Sequence, residues 1–177
     1  MSFLNIVTVS TGQSQDINAL IVSEVNKSLP GSEALYQDLH QNPELSLQEY
    51  RTAEKMAEAL KIAGFKVTKG VGGNGVVGVF RNGNGPVLML RTDMDALPVK
   101  EITGLSFESN VISKDNRGVE IPVMHACGHD MHMTVWLGTI RTLVSLKDKW
   151  QGTILAVAQP AEEVSAGSEQ MIKDGLF

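Results

Sequence analysis

Six consecutive residues, His125-Ala126-Cys127-Gly128-His129-Asp130, hold the only cysteine of the chain and two of its four histidines, and His132 follows at once. Thiolate and imidazole are strong ligands for zinc-like ions, so this segment points to metal chemistry. Carboxylates stand in two further clusters, Asp93-Met94-Asp95 and Glu162-Glu163. In an extended backbone Cys127 and His129 project to one side, as do Asp93 and Asp95. The adjacent glutamates diverge, which suits two jobs: one holds a metal ion while the other faces an attacking water and accepts its proton. Spacing alone does not say which glutamate does which.

Each of these residues also has a plainer use. His125 is open between metal ligand, donor to a ligand and substrate contact. His132, one turn into a helix, reads as structural, and His40, near a helix end, as a surface residue or local cap. Arg91 shares the parity of Asp93 and Asp95, so a structural salt bridge competes with chemistry there. An adjacent Glu pair is commonly solvated surface. After an apolar strand and Pro160, however, it falls in the crevice where α/β sheets bind ligands. Cys127 as a nucleophile is disfavoured because nearby carboxylates raise a thiol pKa. Gly70 to Gly75 fits GxGxxG literally, but a strand follows where a dinucleotide fold needs a helix, so it reads as a turn.

The elements that must position these groups follow an α/β pattern with a mixed sheet and flanking helices. Residues 1–30 read as a lead, helical over Asp16 to Leu29 and closed by Pro30-Gly31, with a second helix over Ser32 to Gln41. Ser46 and Glu49 have capping-box spacing. The helix they would start places Ala53, Met56, Ala57, Leu60 and Ala63 on one face and stops at Gly64. Strands are expected over Lys66 to Val71, Val76 to Arg81 and Pro86 to Thr92, joined by Gly- and Asn-rich turns that suit antiparallel connections. Residues 99–122 read as irregular. A helix runs from Asp130, placed as N-cap, to about Leu146. Gly152 to Gln159 reads as a buried strand, and Ser165 to Asp174 as a helix capped by Gly175.

Composition narrows the function classes. The chain of 177 residues is 42% apolar and 20% charged, ordinary for one soluble domain. A net charge of −5 with no basic run argues against nucleic-acid binding. Phe3 to Val9 is apolar but too short for a membrane span and lacks the basic flank of a signal peptide, so no membrane partner and a cytoplasmic location are expected. One cysteine excludes an internal disulfide.

Four stretches carry a resemblance: Leu39-His40-Gln41-Asn42-Pro43-Glu44-Leu45-Ser46, Arg91-Thr92-Asp93-Met94-Asp95-Ala96-Leu97-Pro98, His125 to Asp130, and Gln159-Pro160-Ala161-Glu162-Glu163. In their order and spacing the chain resembles the M20 metallopeptidases. It is most similar to the amidohydrolase branch of hippurate hydrolases, N-acyl-amino-acid deacylases and auxin-conjugate hydrolases. The resemblance implies a hydrolase with two divalent metal ions, zinc or manganese, acting on a small N-acyl-amino acid or peptide-like substrate; a dipeptidase of the same fold and a non-catalytic metal-binding fragment are the alternatives. It implies Cys127, His129 and Glu163 as metal ligands, Glu162 as general base and Asp95 as a residue that orients the site. Members of that family run to about twice this length and carry further histidine ligands and a lid domain through which a homodimer forms. Residues 31–177 then correspond to the first segment of the catalytic domain, expected to bind metal weakly and to be inactive alone.

Overall fold

The computed structural model describes residues 12–177, with side chains from Ile17 onward. The apolar segment Phe3 to Val9 lies outside the described residues. In chain order the elements are α1 (Gly12–Gln41), α2 (Tyr50–Ile62), β1 (Lys66–Val71), β2 (Gly75–Asn82), β3 (Val87–Asp93), β4 (Ile112–Lys114), β5 (Glu120–Pro122), α3 (His129–Ser145), β6 (Gly152–Gln159) and α4 (Gly167–Lys173). A four-stranded mixed sheet has the order β1-β2-β6-β3, and β4 and β5 form a separate hairpin. This is the α/β architecture with a mixed sheet expected from the sequence.

The period-3.6 face of α2 buries Ala53, Met56, Ala57 and Leu60. The helix ends in a Schellman motif: Phe65 N donates to Leu60 O at 3.0 Å and Gly64 N to Lys61 O at 2.9 Å. Leu60 and Phe65 then join Val76, Met133, Leu137, Ile140, Ile154 and Ala156 in the main core, which lies between the sheet and α2 and α3. Helix α3 is the crossover between the parallel neighbours β3 and β6. Trp136 of α3 secures it by donating Nε1–H to Leu90 O of β3 at 3.0 Å.

Four local expectations are corrected. Helix α1 does not stop at Pro30-Gly31 but runs through both to Gln41. Proline removes one backbone donor, and packing of α1 on α3 outweighs that local loss. Ser46 is not the cap of α2, which starts at Tyr50; the Glu44 carboxylate accepts the amides of Arg51 at 3.0 Å and Thr52 at 2.7 Å instead. β2 and β3 are not paired, because β6 inserts between them, antiparallel to β2 and parallel to β3. The Asn82 side-chain amide anchors that insertion by donating to Lys147 O and Trp150 O, on the approach to β6. Residues 99–122, read as irregular, include the β4–β5 hairpin.

Among the described residues β3 has one neighbouring strand, β6, and its Val87, Leu88 and Met89 are exposed. No helix among them is long and apolar enough to cross a membrane.

Candidate metal centre

The register of β3 on β6 pairs Asp93 with Gln159, so both strands end at the same level and deliver their following loops to one crevice. From β3 come Met94, wholly buried, and Asp95, 1% exposed. From β6 come Pro160, Ala161, Glu162 and Glu163. The N-terminus of α3 brings His129, preceded by Gly128 in the left-handed conformation (φ 77°) that turns the chain into the helix.

Asp95 ties the three pieces together. Its Oδ2 accepts the Ser46 hydroxyl at 2.6 Å and the Glu163 amide at 2.9 Å. Its carbonyl accepts Nδ1–H of His129 at 2.8 Å. That bond fixes the imidazole tautomer and leaves Nε2 facing outward. There Nε2 lies 3.8 Å from Glu162 Oε2 and 3.9 Å from Glu163 Oε1. Burial alone would raise the Asp95 carboxyl, but hydrogen bonds from His129, Ser46 and the glutamate amides bring it down to about 2. The Asp95 carboxylate, 3.6 Å from Nδ1, lifts His129 to about 9 against the opposing effect of burial. A proton is thus drawn onto an imidazole surrounded by negative charge, and the same field attracts a divalent cation.

The donor set fits such an ion. Ligand atoms of His129, Glu162 and Glu163 lie within 4.8 Å of one another. Atoms sharing one zinc at ~2.1 Å stand roughly 3.4 Å apart, close to the separations from Nε2. Glu163 Oε1 and Asp95 Oδ1 are buried without a hydrogen-bond partner, and such oxygens are costly unless a cation or water satisfies them.

The residues singled out from sequence are not all gathered here. Glu162 stands as near to His129 as Glu163 does, with its side chain 43% exposed against 16%. Cys127 is not one of the three clustered groups. Residues 126 and 127 form a turn, so the same-side argument from extended backbone does not apply to it. Its thiol is exposed, and the Glu163 carboxylate nearby, with burial and the negative charge of Glu162 and Asp95, raises the thiol pKa. This runs against a thiolate nucleophile. Asp93 is held by the Arg91 guanidinium, the salt bridge foreseen as the plainer use, and lies 3.5 Å from Nδ1 of half-exposed His132. His125 is 4% exposed with neither ring nitrogen partnered, and burial pushes it down to about 4.

Sequence reasoning missed His40. It is buried, not a surface residue, with Nδ1 2.6 Å from Asp130 Oδ2 and Nε2 2.9 Å from Glu101 Oε1. Asp130 therefore serves as the partner of His40, and Gly128 takes the N-cap position of α3. The only local hint is Tyr36, four residues before His40, whose ring packs against the imidazole at 5.5 Å between centroids.

A mixed α/β sheet with imidazole and carboxylates converging past its strand ends defines the class of metallohydrolase-like folds. Residues 89–177 match peptidase family M20/M25/M40, and the chain belongs to that family. It is 42% identical over 146 residues to the hippurate hydrolase of Campylobacter jejuni, covering 82% of this chain and 35% of the relative. With the N-acetyl-L-cysteine deacetylase of Bacillus subtilis it shares 36% identity over 162 residues, 91% of this chain and 36% of the relative. Among solved structures it resembles a Bacillus subtilis protein described as a dinuclear metal binding peptidase from the M20 family. The TM-score is 0.70 at 32% identity, over 90% of this chain and 40% of that one. The chain spans about a third of the length of the curated relatives it matches.

Proposed function

We propose that this chain is the first part of a catalytic unit that hydrolyses the amide bond of an N-acyl-amino acid or a similar small conjugate. The observation that carries the reading is the convergence of His129, Glu162 and Glu163 on a crevice braced by Asp95. The similarity to a hippurate hydrolase and an N-acetyl-L-cysteine deacetylase supports the substrate class, since both names describe action on N-acyl-amino acids. The likeness to a dinuclear metal binding peptidase supports two divalent ions.

His129, Glu163 and Cys127 would hold metal, zinc or manganese. Once bound, the ions supply Lewis acidity that polarises the substrate carbonyl and acidifies the attacking water. Glu162, the more exposed glutamate, takes a proton from that water as its oxygen attacks the carbonyl carbon. It then returns the proton to the amine nitrogen as the C–N bond breaks. Asp95 keeps the imidazole of His129 in the tautomer that presents Nε2. The open edge of β3 fits a unit completed by further chain, which would bring more ligands and a lid that dimerises. Residues 1–30 are a lead to the catalytic segment, and the cytoplasm is the proposed location.

The test is Glu162→Gln in the longest natural form of the protein, assayed with N-acetyl-amino acids and with dipeptides. Manganese uptake should persist while turnover falls by about 10² or more. Turnover retained in the variant would remove Glu162 from the role of base. A preference of the unsubstituted protein for dipeptides would replace the deacylase reading with a dipeptidase. Residues 1–177 alone should take up manganese weakly and show no turnover.

A further inference from the structure

The loop between α1 and α2, residues 42–49, touches both strand-end loops of the candidate centre. Near its start Glu44 O accepts the Ala96 amide at 2.8 Å, and Leu45 bridges to Ala96 beside Asp95. Ser46 then donates its hydroxyl to Asp95 Oδ2 at 2.6 Å. At its end stands Glu49, 0% exposed. Its Oε1 accepts the amides of Ala161 at 2.8 Å and Leu47 at 2.9 Å, and its Oε2 accepts the Asn74 side-chain amide at 2.9 Å.

A buried carboxylate satisfied only by neutral N–H groups is expensive to keep. Burial pushes the Glu49 carboxyl above the usual range, against the pull of Asn74 and the backbone amides. What it grips is unusual too. Ala161 is wholly buried at φ +50°, a conformation that non-glycine residues rarely adopt, and it directly precedes Glu162. Such backbone persists where its surroundings over-determine it. On the far side, Ala161 O accepts the amides of Ala166 and Gly167, each at 3.2 Å. Gly167 lies so close that an added Cβ would stand 1.6 Å from Pro160 O. The peptide Ala161–Glu163 is thus bracketed by two buried carboxylates, Glu49 at its first amide and Asp95 at its last.

We propose that Glu49 is a positioning residue of the metal centre: it holds Ala161 in the left-handed conformation and so sets where Glu162 and Glu163 stand relative to Asp95 and His129. The inference rests on the metal reading above only for its consequence, since the brace itself is read from the hydrogen bonds and backbone conformation.

The test compares Glu49→Ala, Glu49→Gln and, as a control for general loss of stability, the core variant Leu60→Ala. Two quantities are read: hydrogen exchange at the amides of residues 161–166, and Mn²⁺ affinity by calorimetry with the metal alone. Glu49→Ala should speed exchange in that segment at least ~10-fold beyond Leu60→Ala at matched loss of melting temperature, and weaken Mn²⁺ binding about 10- to 100-fold. Glu49→Gln keeps an oxygen for the Ala161 amide and should recover most of both. Should Glu49→Ala not fold, Asn74→Ala frees one oxygen of the same carboxylate and should show the same changes at smaller size. Exchange in residues 161–166 that rises no more than in Leu60→Ala, or that is untouched by Asn74→Ala, overturns the proposal. If the unsubstituted chain takes up no Mn²⁺, the metal reading fails and exchange alone decides the role of Glu49.

Discussion

Two neighbouring residues at the start of α3 enter two clusters of imidazole and carboxylate that differ in one respect. Asp130 belongs to a closed cluster, in which both nitrogens of His40 lie within hydrogen-bond distance of carboxylates, 2.6 Å to Asp130 and 2.9 Å to Glu101. With a carboxylate oxygen at each nitrogen, the arrangement favours a ring that donates from both, the imidazolium. Glu101 is filled further by the Thr103 hydroxyl and the Ser109 amide. His129 belongs to an open cluster, where Nε2 stands 3.8 and 3.9 Å from two carboxylates and two buried oxygens have no partner. Residue types alone do not separate a site from a strut; spare acceptors and spacing just beyond a hydrogen bond do. The closed cluster pins α1 and the loop after β3 to the helix that presents His129, and the open one is left for a ligand.

The largest effect should come from breaking the closed cluster. His40→Ala leaves Asp130, 2% exposed, and Glu101, 4% exposed, facing each other without a cation. Removing one partner of a buried ion pair costs about 3–5 kcal/mol, read from chemical denaturation. A loss under ~1 kcal/mol would mean the cluster is not a strut. Glu163→Gln in the open cluster should do the reverse. It should shift stability by no more than ~1 kcal/mol yet weaken Mn²⁺ affinity by about tenfold or more. A Glu163→Gln protein as unstable as His40→Ala would erase the distinction drawn between the clusters.

The same contrast explains what was legible beforehand. β1 and β6 fall where turn glycines and an unbroken apolar run place them, and the buried face of α2 follows from its own periodicity, because those signals are local. The pairing of β2 with β6 is not local, and nothing in Asn82-Gly83-Asn84-Gly85 distinguishes a hairpin turn from an anchor for residues 147 and 150. His40 is the extreme case: its partners lie 61 and 90 residues away, so position near a helix end suggested only a surface residue or a local cap. Ser46 likewise carries a capping pattern but donates to an acid 49 residues on. His129, Glu162 and Glu163 were legible as types because strand ends announce where an α/β crevice lies. The part played by Cys127 was harder to foresee, since its orientation depends on a turn that periodicity does not encode.

The smallest effect is the pH dependence, and it uses two buried imidazoles that titrate in opposite senses. Burial opposes the charge on His40, but its hydrogen bonds to Glu101 and Asp130 prevail and hold its pKa above the ordinary value. Its contribution to stability is therefore complete below the unfolded value of ~6.5 and fades as pH rises past it. His125, pushed down to about 4 by burial, contributes fully above ~6.5 and loses that contribution as pH falls toward 4. Glu101, held below its usual range by its hydrogen bonds against the effect of burial, adds to the acid-side loss. Stability should therefore peak near pH 6.5. His129, raised to about 9, steepens the alkaline flank in metal-free protein, so the comparison belongs between variants under one metal condition. His40→Gln should flatten the alkaline side of a melting-temperature profile relative to the unsubstituted chain and leave the acid slope due to His125. A profile whose alkaline flank is unchanged by that substitution would show that the imidazolium bridge does not carry the charge its geometry demands.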